Sequence, residues 1–474
     1  MRFHKLYIAA GLTLAVACTE KETIYLENPA SCFEARIKPS NGGNEVIANE
    51  AQVDSNFYFE LCNRLEDRFM YRWDFGDGSQ AEGKSAQHAY SKRGVYNVKL
   101  TALRDGHPVD SFVQQMRVYL GQKNFSFARN QHTYGVDLSQ TSDEGFLILG
   151  YRQDTGTVNP RQYFLLKVDS LLKQQWVKDL PAESVNLLSL QPSADGNHII
   201  AGNTKGVNNK FGLTAINLQG EVVWSKTYDN TNSFNTYASV TNDNAIITIG
   251  QKSLSGSAEQ RTMLLKTNLQ GDVIWEQDFA AMQAIQNAEN LVVEEDGFVV
   301  AGTLAGSGCA SGNCDSVVIL KAGSSDGDVL WKNSMRWDYQ VPLQATRLIR
   351  AGNEYQVVNK ANYGIFTFSA SGAFLNRQVF WSYPDSLSYH LADVKGNTYF
   401  FLKGSSPRYA SKIFKVSGQS KTAWYVEIHN PVSGRALPKG GIAVLGARVN
   451  QINNGQYAPS KLTIQIVNSD GTDY

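Results

Sequence analysis

Short apolar runs separated by polar turns recur along most of this chain. The runs Phe146–Gly150, Phe298–Gly302 and Ile442–Gly446 each follow a turn that contains glycine. Continuous apolar runs of this length are typical of strands that are buried on both faces of a sheet. Glycine and polar turn residues between them favour reversals of the chain. The pattern therefore predicts an all-β fold.

A second pattern, a polar turn followed four residues later by tryptophan, recurs about every 50 residues. The repeat positions are Trp176, Trp224, Trp275, Trp331, Asn376 (where the aromatic residue is lost) and Trp424. A repeat of this length with strand-like runs indicates a β-propeller with four strands in each repeat. We expect the tryptophan to pack between neighbouring repeats.

The seventh repeat contains a third strand, 461–467, and its turn, but no fourth strand follows. The segment 123–129 is an unassigned strand that precedes the first repeat. We predict that it supplies the missing outer strand, which would close a ring of seven repeats over 121–474 and remove an exposed sheet edge. An open solenoid is the alternative.

Residues 71–79 read Tyr-Arg-Trp-Asp-Phe-Gly-Asp-Gly-Ser, and an alternating strand pattern follows at 94–101. Trp73 and Phe75 suit a strand, and the sequence from Gly76 through Asp77 to Gly78 suits a tight turn with capping carboxylates. This string resembles the signature of PKD domains. The resemblance implies an Ig-like β-sandwich over 31–120 that acts as a spacer or as a weak protein- or glycan-binding module. Its motif residues here are Trp73, Asp74, Phe75, Gly76, Asp77 and Gly78. A calcium site at the two aspartates is the alternative to turn capping.

The N-terminal residues are typical of a targeting signal. Arg2 and Lys5 precede the apolar stretch 6–17, which is too short to span a bilayer as a helix. Ala15-Val16-Ala17-Cys18 resembles a bacterial lipobox, which implies cleavage before Cys18 and lipidation of its thiol. An ordinary signal peptide that ends in cysteine is the alternative. We predict a signal peptide over 1–18 and a tether over 19–30.

The tether begins Thr-Glu-Lys-Glu, which resembles the surface-export signal of lipoproteins in the Bacteroidota. The predicted location is the outer membrane, lipid-anchored, at the cell surface, with exposure to the periplasm left open. Apart from Cys18, four cysteines remain. An exported chain can keep disulfides, and we predict two local ones, Cys32–Cys62 and Cys309–Cys314.

Composition and motifs argue against several classes of function. The chain has 44 basic and 44 acidic residues, whereas nucleic-acid-binding proteins usually carry a basic excess. The sequence contains no H-E-x-x-H metalloprotease motif. His198 lies in an apolar run and is interpreted as a satisfied core histidine. The carboxylates at 294–296 lie at a turn, where solvation would account for them.

The repeats resemble those of quinoprotein-like propellers, for example at 271–275. That resemblance implies a quinone-dependent oxidoreductase, whose family usually has eight repeats and a vicinal cysteine pair, whereas Cys309 and Cys314 are not adjacent. We therefore predict no cofactor, no metal and no catalytic residue. A propeller enzyme, either an oxidoreductase or a polysaccharide lyase or hydrolase, remains an alternative.

Loops that follow second and fourth strands open on one face of a propeller, and here they are rich in aromatic residues and arginine. Such residues are frequent at binding hot spots. The candidate binding residues are Phe234, Arg336, Trp337, Tyr339, Trp381, Tyr383, Arg408, Tyr409 and Tyr457. Capping of the central channel by these side chains is the alternative. We predict a non-catalytic scaffold for an outer-membrane or extracellular protein, one setting being an assembly or secretion complex; glycan binding is the second hypothesis.

Overall fold

The computed structural model has only β-strands among the residues that it describes. No helix in this part of the chain is long and apolar enough to cross a membrane. The described residues are 32–38, 45–62, 69–127, 131–154, 161–181, 184–204, 210–232, 237–241, 243–253, 260–279, 290–304, 316–336, 346–359, 364–379, 386–392, 397–403, 411–416, 424–428, 431–438, 441–448 and 460–467.

Contacts divide the chain into two compact units. The first, called the sandwich here, comprises Met1–Ala51, Ser55–Tyr90 and Val95–Arg117, of which residues 1–31 lie outside the described part. The second, called the propeller here, comprises Gln52–Asp54, Ser91–Gly94 and Val118–Tyr474.

The sandwich consists of two antiparallel sheets. Its strands, some of which extend across the unit boundaries, are β1 (Phe33–Ile37), β2 (Val46–Ile47), β3 (Glu50–Gln52), β4 (Asn56–Leu61), β5 (Met70–Asp74), β6 (Gln80–Glu82), β7 (Ser85–Ala89), β8 (Gly94–Arg104) and β9 (His107–Tyr119). One sheet has the order β2-β1-β4-β7 and the other β3-β9-β8-β5-β6. Alternate residues point inward, because side chains on a strand alternate between its two faces.

The core between these two sheets is aromatic. Trp73 is fully buried, and its ring centroid lies 5.2 Å from that of Phe33 and 5.8 Å from that of Phe59. Tyr90 is buried as well, and its hydroxyl donates to the Phe75 carbonyl at 3.0 Å. Large rings therefore fill the centre of a small domain with few side chains.

The propeller begins with a single strand, and its first three sheets follow in chain order. These strands are β10 (Gln122–Phe125); β11 (Gln131–Gln140), β12 (Phe146–Asp154), β13 (Gln162–Val168) and β14 (Gln174–Asp179) of the first sheet; β15 (Ser184–Pro192), β16 (His198–Thr204), β17 (Lys210–Ile216) and β18 (Val222–Asn232) of the second; and β19 (Tyr237–Val240), β20 (Ala245–Ser253), β21 (Gln260–Asn268) and β22 (Val273–Asp278) of the third.

Four more sheets complete the described part. Their strands are β23 (Leu291–Val293), β24 (Gly297–Leu304), β25 (Ser316–Gly323) and β26 (Val329–Arg336) of the fourth; β27 (Thr346–Ala351), β28 (Glu354–Asn359), β29 (Gly364–Ser369) and β30 (Phe374–Val379) of the fifth; β31 (Ser386–Ala392), β32 (Thr398–Lys403), β33 (Ser411–Val416) and β34 (Trp424–Ile428) of the sixth; and β35 (Pro431–Ala436), β36 (Ile442–Arg448) and β37 (Lys461–Val467) of the seventh.

The seventh sheet has the order β10-β37-β36-β35, so the strand that precedes the first repeat forms its outer edge. Lys123 lies opposite Ile464 and Phe125 opposite Leu462 in this antiparallel pair. The predicted closing strand is therefore confirmed. The first strand of each sheet contacts the first strand of the next, and β35 contacts β11, so the described sheets form a closed ring rather than an open solenoid.

Tryptophan joins neighbouring sheets, as predicted. The indole nitrogen of Trp224 donates to the Leu269 carbonyl of the next sheet at 2.8 Å. The ring lies so close to Gly271 that a Cβ there would be 2.8 Å from it. Gly271 also has a φ of 78°, which disfavours other residues. The turn glycine of the repeat is thus required both by its backbone and by the tryptophan of the preceding sheet.

A partly buried ion pair joins the seventh sheet to the first. Asp137 Oδ2 accepts from Arg435 Nη2 at 2.8 Å, and Asp137 Oδ1 accepts from the Ser433 hydroxyl at 2.7 Å. Asp137 also accepts from the backbone N–H of Leu190, in the second sheet, at 2.9 Å. One carboxylate thus bonds to the first strands of two neighbouring sheets at the point where the ring closes.

Candidate functional site

The two ends of the propeller differ in how the strands are connected. Within each sheet the strands are ordered sequentially and antiparallel, so connections after second and fourth strands lie at one end, called the loop face here. The four longest connections all belong to this face: 279–290, 305–315, 337–345 and 449–460. Connections after first and third strands lie at the opposite end, called the turn face here.

The turns that the structure describes on the turn face are short, and several of them satisfy their own backbone. Asn268 Oδ1 accepts from the N–H groups of Gln270 at 3.0 Å and Asp272 at 2.8 Å. Asn217 does the same for Gln219 and Glu221. Because the side chain bonds to its own turn, these polar residues have a local structural role.

Of the predicted binding residues, only Arg336 lies within the described part. It ends β26, is exposed, and is paired in register with Ser316. Its position at the end of a fourth strand places it at the loop face. The other eight lie outside the described residues: Phe234, Trp337, Tyr339, Trp381, Tyr383, Arg408, Tyr409 and Tyr457.

A cavity of about 200 Å³ on the turn face is lined by Thr241, Asp243, Glu294, Glu295, Phe298 and Ser324. Glu294 was interpreted from the sequence as a solvated turn residue, and this is wrong. Its side chain is only 12% exposed. It accepts from the Tyr355 hydroxyl at 2.6 Å and from Lys321 Nζ at 2.8 Å, because the turn folds against the fifth sheet.

Two further carboxylates at these turns, Asp243 in the cavity lining and Asp296 beside it, are paired with lysine. Burial opposes ionisation of Asp243, yet hydrogen bonds from Lys266 and Thr241 lower its pKa. A hydrogen bond from Lys321 likewise lowers the pKa of Asp296. Groups held ionised in this way stabilise the sheets and are poor general acids at neutral pH. Among the described residues no group of three or more His, Cys, Asp or Glu side chains could hold a metal ion.

His198 is buried, but the interpretation as a satisfied histidine is wrong. Neither ring nitrogen has a hydrogen-bond partner in the structure. Burial, together with the nearby Lys167, lowers the pKa of His198 to about 4. The repeat explains why a histidine is buried at this position. The residue at the same place in the fourth sheet is Phe298, and Lys266 Nζ lies 5.8 Å from the centroid of its ring. His198 therefore takes an aromatic position beside a lysine and is neutral at pH 7.

The PKD motif residues form the predicted turn. Asp74 Oδ1 accepts from the Gly76 N–H and Asp77 Oδ1 from the Ser79 N–H, both at 2.9 Å. Asp77 Oδ2 also lies 2.8 Å from His88 Nε2. Both carboxylates cap their own turn, so the capping interpretation is confirmed.

Cys32 and Cys62 are free thiols in the structure, so the predicted disulfide is not formed in it. The Cys62 N–H donates to the Cys32 carbonyl at 3.1 Å, and the neighbouring pair Phe33 and Leu61 is in register. Such antiparallel partners have Cα atoms about 5.5 Å apart, a distance that a disulfide can bridge. The bond stays a prediction that requires oxidation. Cys18, Cys309 and Cys314 lie outside the described residues.

A pocket of about 160 Å³ lies between the first and second sheets. Leu180, Leu187 and Ile200 form apolar walls, and Asn203, Thr214 and Ser225 add polar groups. Leu180 lies in the connection 180–183 that follows β14, and Asn203 lies near the end of β16, which precedes the connection 205–209. The pocket therefore extends toward the loop face. The sequence analysis did not predict this pocket. The only sequence feature that marks it is Gly212, a glycine where three other repeats have a larger residue.

Comparison with known proteins gives a family match for the sandwich and structural similarities for the propeller. The family model of the PKD domain matches residues 42–118. Among solved structures, a quinoprotein alcohol dehydrogenase-like protein from Bacteroides thetaiotaomicron is 12% identical, with 80% of this chain and 93% of that chain covered and a TM-score of 0.42. A polysaccharide lyase is 12% identical, with coverages of 71% and 90% and a TM-score of 0.49. A Dyadobacter fermentans protein of unknown function is 8% identical, with coverages of 73% and 98% and a TM-score of 0.39. Similarities at these scores carry no argument about function. Residues 42–118 thus match the PKD domain family, and the described residues between 122 and 467 form a β-propeller.

Proposed function

We propose that the chain is a lipid-anchored outer-membrane protein whose propeller serves as a non-catalytic scaffold for another protein. The observation that carries the proposal is the difference between the two ends of the ring. The described turns of the turn face are short, and several of them bond to themselves. The loop face holds the four longest connections. Two of them, 337–345 and 449–460, together with 380–385 and 404–410, contain aromatic residues or arginine, whereas Phe279 in a third is buried in the core.

The chemistry of the loop face suits a protein partner. Trp337, Tyr339, Trp381 and Tyr383 offer large apolar rings with a polar atom, and Arg336 offers a planar cation. Such side chains bury much area at a small cost in conformational entropy, which is why they dominate binding hot spots. The equal numbers of basic and acidic residues favour a partner held by apolar contacts and hydrogen bonds rather than a polyanion.

Capture of a partner from solubilised membranes tests the scaffold proposal. The full lipidated chain should retain a stoichiometric membrane or extracellular protein, and Trp337→Ala or Trp381→Ala should weaken capture at least tenfold. Phe374→Ala is the matched control, because this exposed aromatic residue begins β30, at the turn-face end. Equal loss in the control, or no partner with the unmodified chain, would contradict the proposal.

Glycan binding is the second candidate, because aromatic side chains also stack on sugars. A glycan array probed with the full chain separates the two. Binding that is lost with Trp337→Ala and retained with Phe374→Ala would favour the glycan function. Turnover of a polysaccharide, or oxidation of an alcohol after addition of a quinone cofactor, would instead reveal an enzyme.

The anchor requires its own test. We propose that Cys18 is the lipidated residue and that the chain faces the cell surface through the tether 19–30. Metabolic labelling with a fatty acid should mark the full chain and should not mark Cys18→Ser. Protease added to intact cells should then digest the protein if it is surface-exposed and should spare it if it faces the periplasm.

A further inference from the structure

The second sheet lacks a side chain at one position of its third strand that three other sheets fill. In the first, third and fourth sheets the second strand carries a glycine, and the residue opposite it in the third strand has a side chain. The pairs are Gly150 with Phe164, Gly250 with Met263 and Gly302 with Val318. All three side chains are buried. In the second sheet the partner of Gly202 is Gly212. Leu187 lies against Gly202, where a Cβ would be 2.7 Å from it, so the space that the missing side chain leaves open is beside Gly212.

That space is the pocket between the first and second sheets. Its volume is about 160 Å³, and Leu187, Ile200 and Leu180, its inner walls, are at most 8% exposed. Val222 and Ser225 of the outer strand are exposed. The pocket therefore has an apolar floor and a mouth that solvent reaches.

The first sheet indicates what fits at this position. Phe164 lies over Gly150 so closely that a Cβ on the glycine would be 2.6 Å from the ring. An apolar cavity of about 150 Å³ accommodates one benzene molecule. The space beside Gly212 thus has both the position and the size for one aromatic ring supplied from outside.

The mouth of the pocket favours a ring carried by a polypeptide. The hydroxyl groups of Thr214 and Ser225 lie 2.9 Å apart beside the apolar walls. A peptide backbone that carries the ring brings amide groups that need hydrogen-bond partners on burial. Rotatable hydroxyls that donate and accept can supply them.

We propose that this pocket binds the side chain of one Phe or Tyr of the partner, as an anchor of the interface. The inference rests on the proposed scaffold function, and it names a residue type of the partner and the place where it binds. Gly212 determines the specificity, because any larger residue there would occupy the space of the incoming ring.

Saturation-transfer NMR on the full chain, with short synthetic peptides as probes, tests the pocket without the natural partner. The peptides are Gly-Gly-Phe-Gly-Gly and Gly-Gly-Tyr-Gly-Gly, with Gly-Gly-Ala-Gly-Gly and free toluene for comparison. The Phe and Tyr peptides should show saturation of their ring protons. Gly212→Phe, which copies the first sheet, should reduce that signal at least tenfold, and Gly212→Val should reduce it less.

Ser334→Phe is the control, because it adds an aromatic ring to an exposed position of the outer strand β26 and should leave peptide binding unchanged. Absence of ring saturation with the unmodified chain, or an unchanged signal in both Gly212 variants, would overturn the inference. Binding of toluene without binding of either aromatic peptide would overturn it as well. If the peptides bind as expected but membranes yield no partner, the scaffold proposal fails while the pocket stands.

Discussion

The sandwich and the propeller use tryptophan in opposite ways. Trp73 of the sandwich is fully buried at the centre of one core, and its indole nitrogen donates to the Gly83 carbonyl of its own domain at 2.8 Å. Trp224 of the propeller is only partly buried and donates across a seam to Leu269 of the next sheet. The first side chain completes a core, whereas the second joins two cores.

This difference follows from architecture. A two-sheet sandwich has a single interior, so one large ring contacts residues of both sheets. A ring of sheets has an interior at every seam, and each is filled mainly by aliphatic side chains. Stability in the propeller is therefore distributed over repeated contacts, whereas in the sandwich it is concentrated. Four changes test this contrast.

The largest effect is expected for Trp73→Ala. Truncation of a fully buried tryptophan typically lowers the free energy of unfolding by about 3–5 kcal/mol. Calorimetry of the full chain should show a sandwich transition at lower temperature, with the propeller transition unchanged. Met70→Ala is the matched control, since this residue of the same strand is 58% exposed. A shift of both transitions would show that the sandwich does not unfold independently.

Asp137→Ala should have the largest effect of the changes in the propeller. It removes the partner of Arg435 at the ring closure. Loss of one member of a fully buried ion pair costs about 3–5 kcal/mol, and because the Arg435 side chain is 20% exposed we expect a loss near the lower end, about 3 kcal/mol. The expected result is a lower propeller transition. Asp137→Asn keeps an acceptor for the Leu190 N–H and should lose less. Equal losses in the two variants would show that the charge is not what matters at this position.

His198 should make the propeller sensitive to acid. Its pKa is about 4 in the folded protein and about 6.5 when unfolded, so the unfolded chain binds more protons between these values. The contribution of neutral His198 to the free energy of unfolding is fully present above pH 6.5. As the pH falls toward 4, the free energy of unfolding decreases by about 2–3 kcal/mol.

Urea unfolding of the propeller at several pH values, for the unmodified chain and His198→Phe, measures this contribution as a difference. Near His198, burial opposes ionisation of Asp143, yet hydrogen bonds from Lys167 and Thr141 lower the pKa of that carboxyl to about 2. This carboxyl therefore does not titrate in the pH range in which His198 is expected to act. Parallel pH profiles in the two proteins would contradict the prediction.

The smallest effect is expected for Trp224→Phe. The change removes one hydrogen bond to Leu269 but keeps an aromatic ring beside Gly271, which should cost about 1 kcal/mol. Trp73→Phe loses its hydrogen bond inside a closed core and should cost more. Calorimetry of both variants compares the two sites directly, and equal losses would remove the contrast between core and seam.

Much of the architecture could be predicted from local pattern. The tryptophan repeat predicted the sheets and the contacts between them. The strand-like segment before the first repeat predicted the pairing that closes the ring, in which Lys123 lies opposite Ile464. The turn at Gly76 and Asp77 was predicted from a short string of residues. These features depend on neighbours in sequence or on a period, so a single chain displays them.

The candidate sites were less predictable. Asp137 and Arg435 are 298 positions apart, and no local feature of either indicates the other. Glu294 was expected in solvent, but its carboxylate accepts a hydrogen bond from the hydroxyl of Tyr355, 61 positions away. The pocket beside Gly212 depends on which residue the neighbouring strand places opposite a glycine, and this is a property of register.

The sequence by itself determined the all-β class, the repeat and the PKD motif, because strand alternation, turn chemistry and period are local. Only the tertiary structure decided that Asp137 bonds to two neighbouring sheets, that His198 is buried and Glu294 largely so, and that Gly212 lies beside a pocket. The physical reason is that burial and pairing depend on distant segments, which meet only when the sheets pack into a ring.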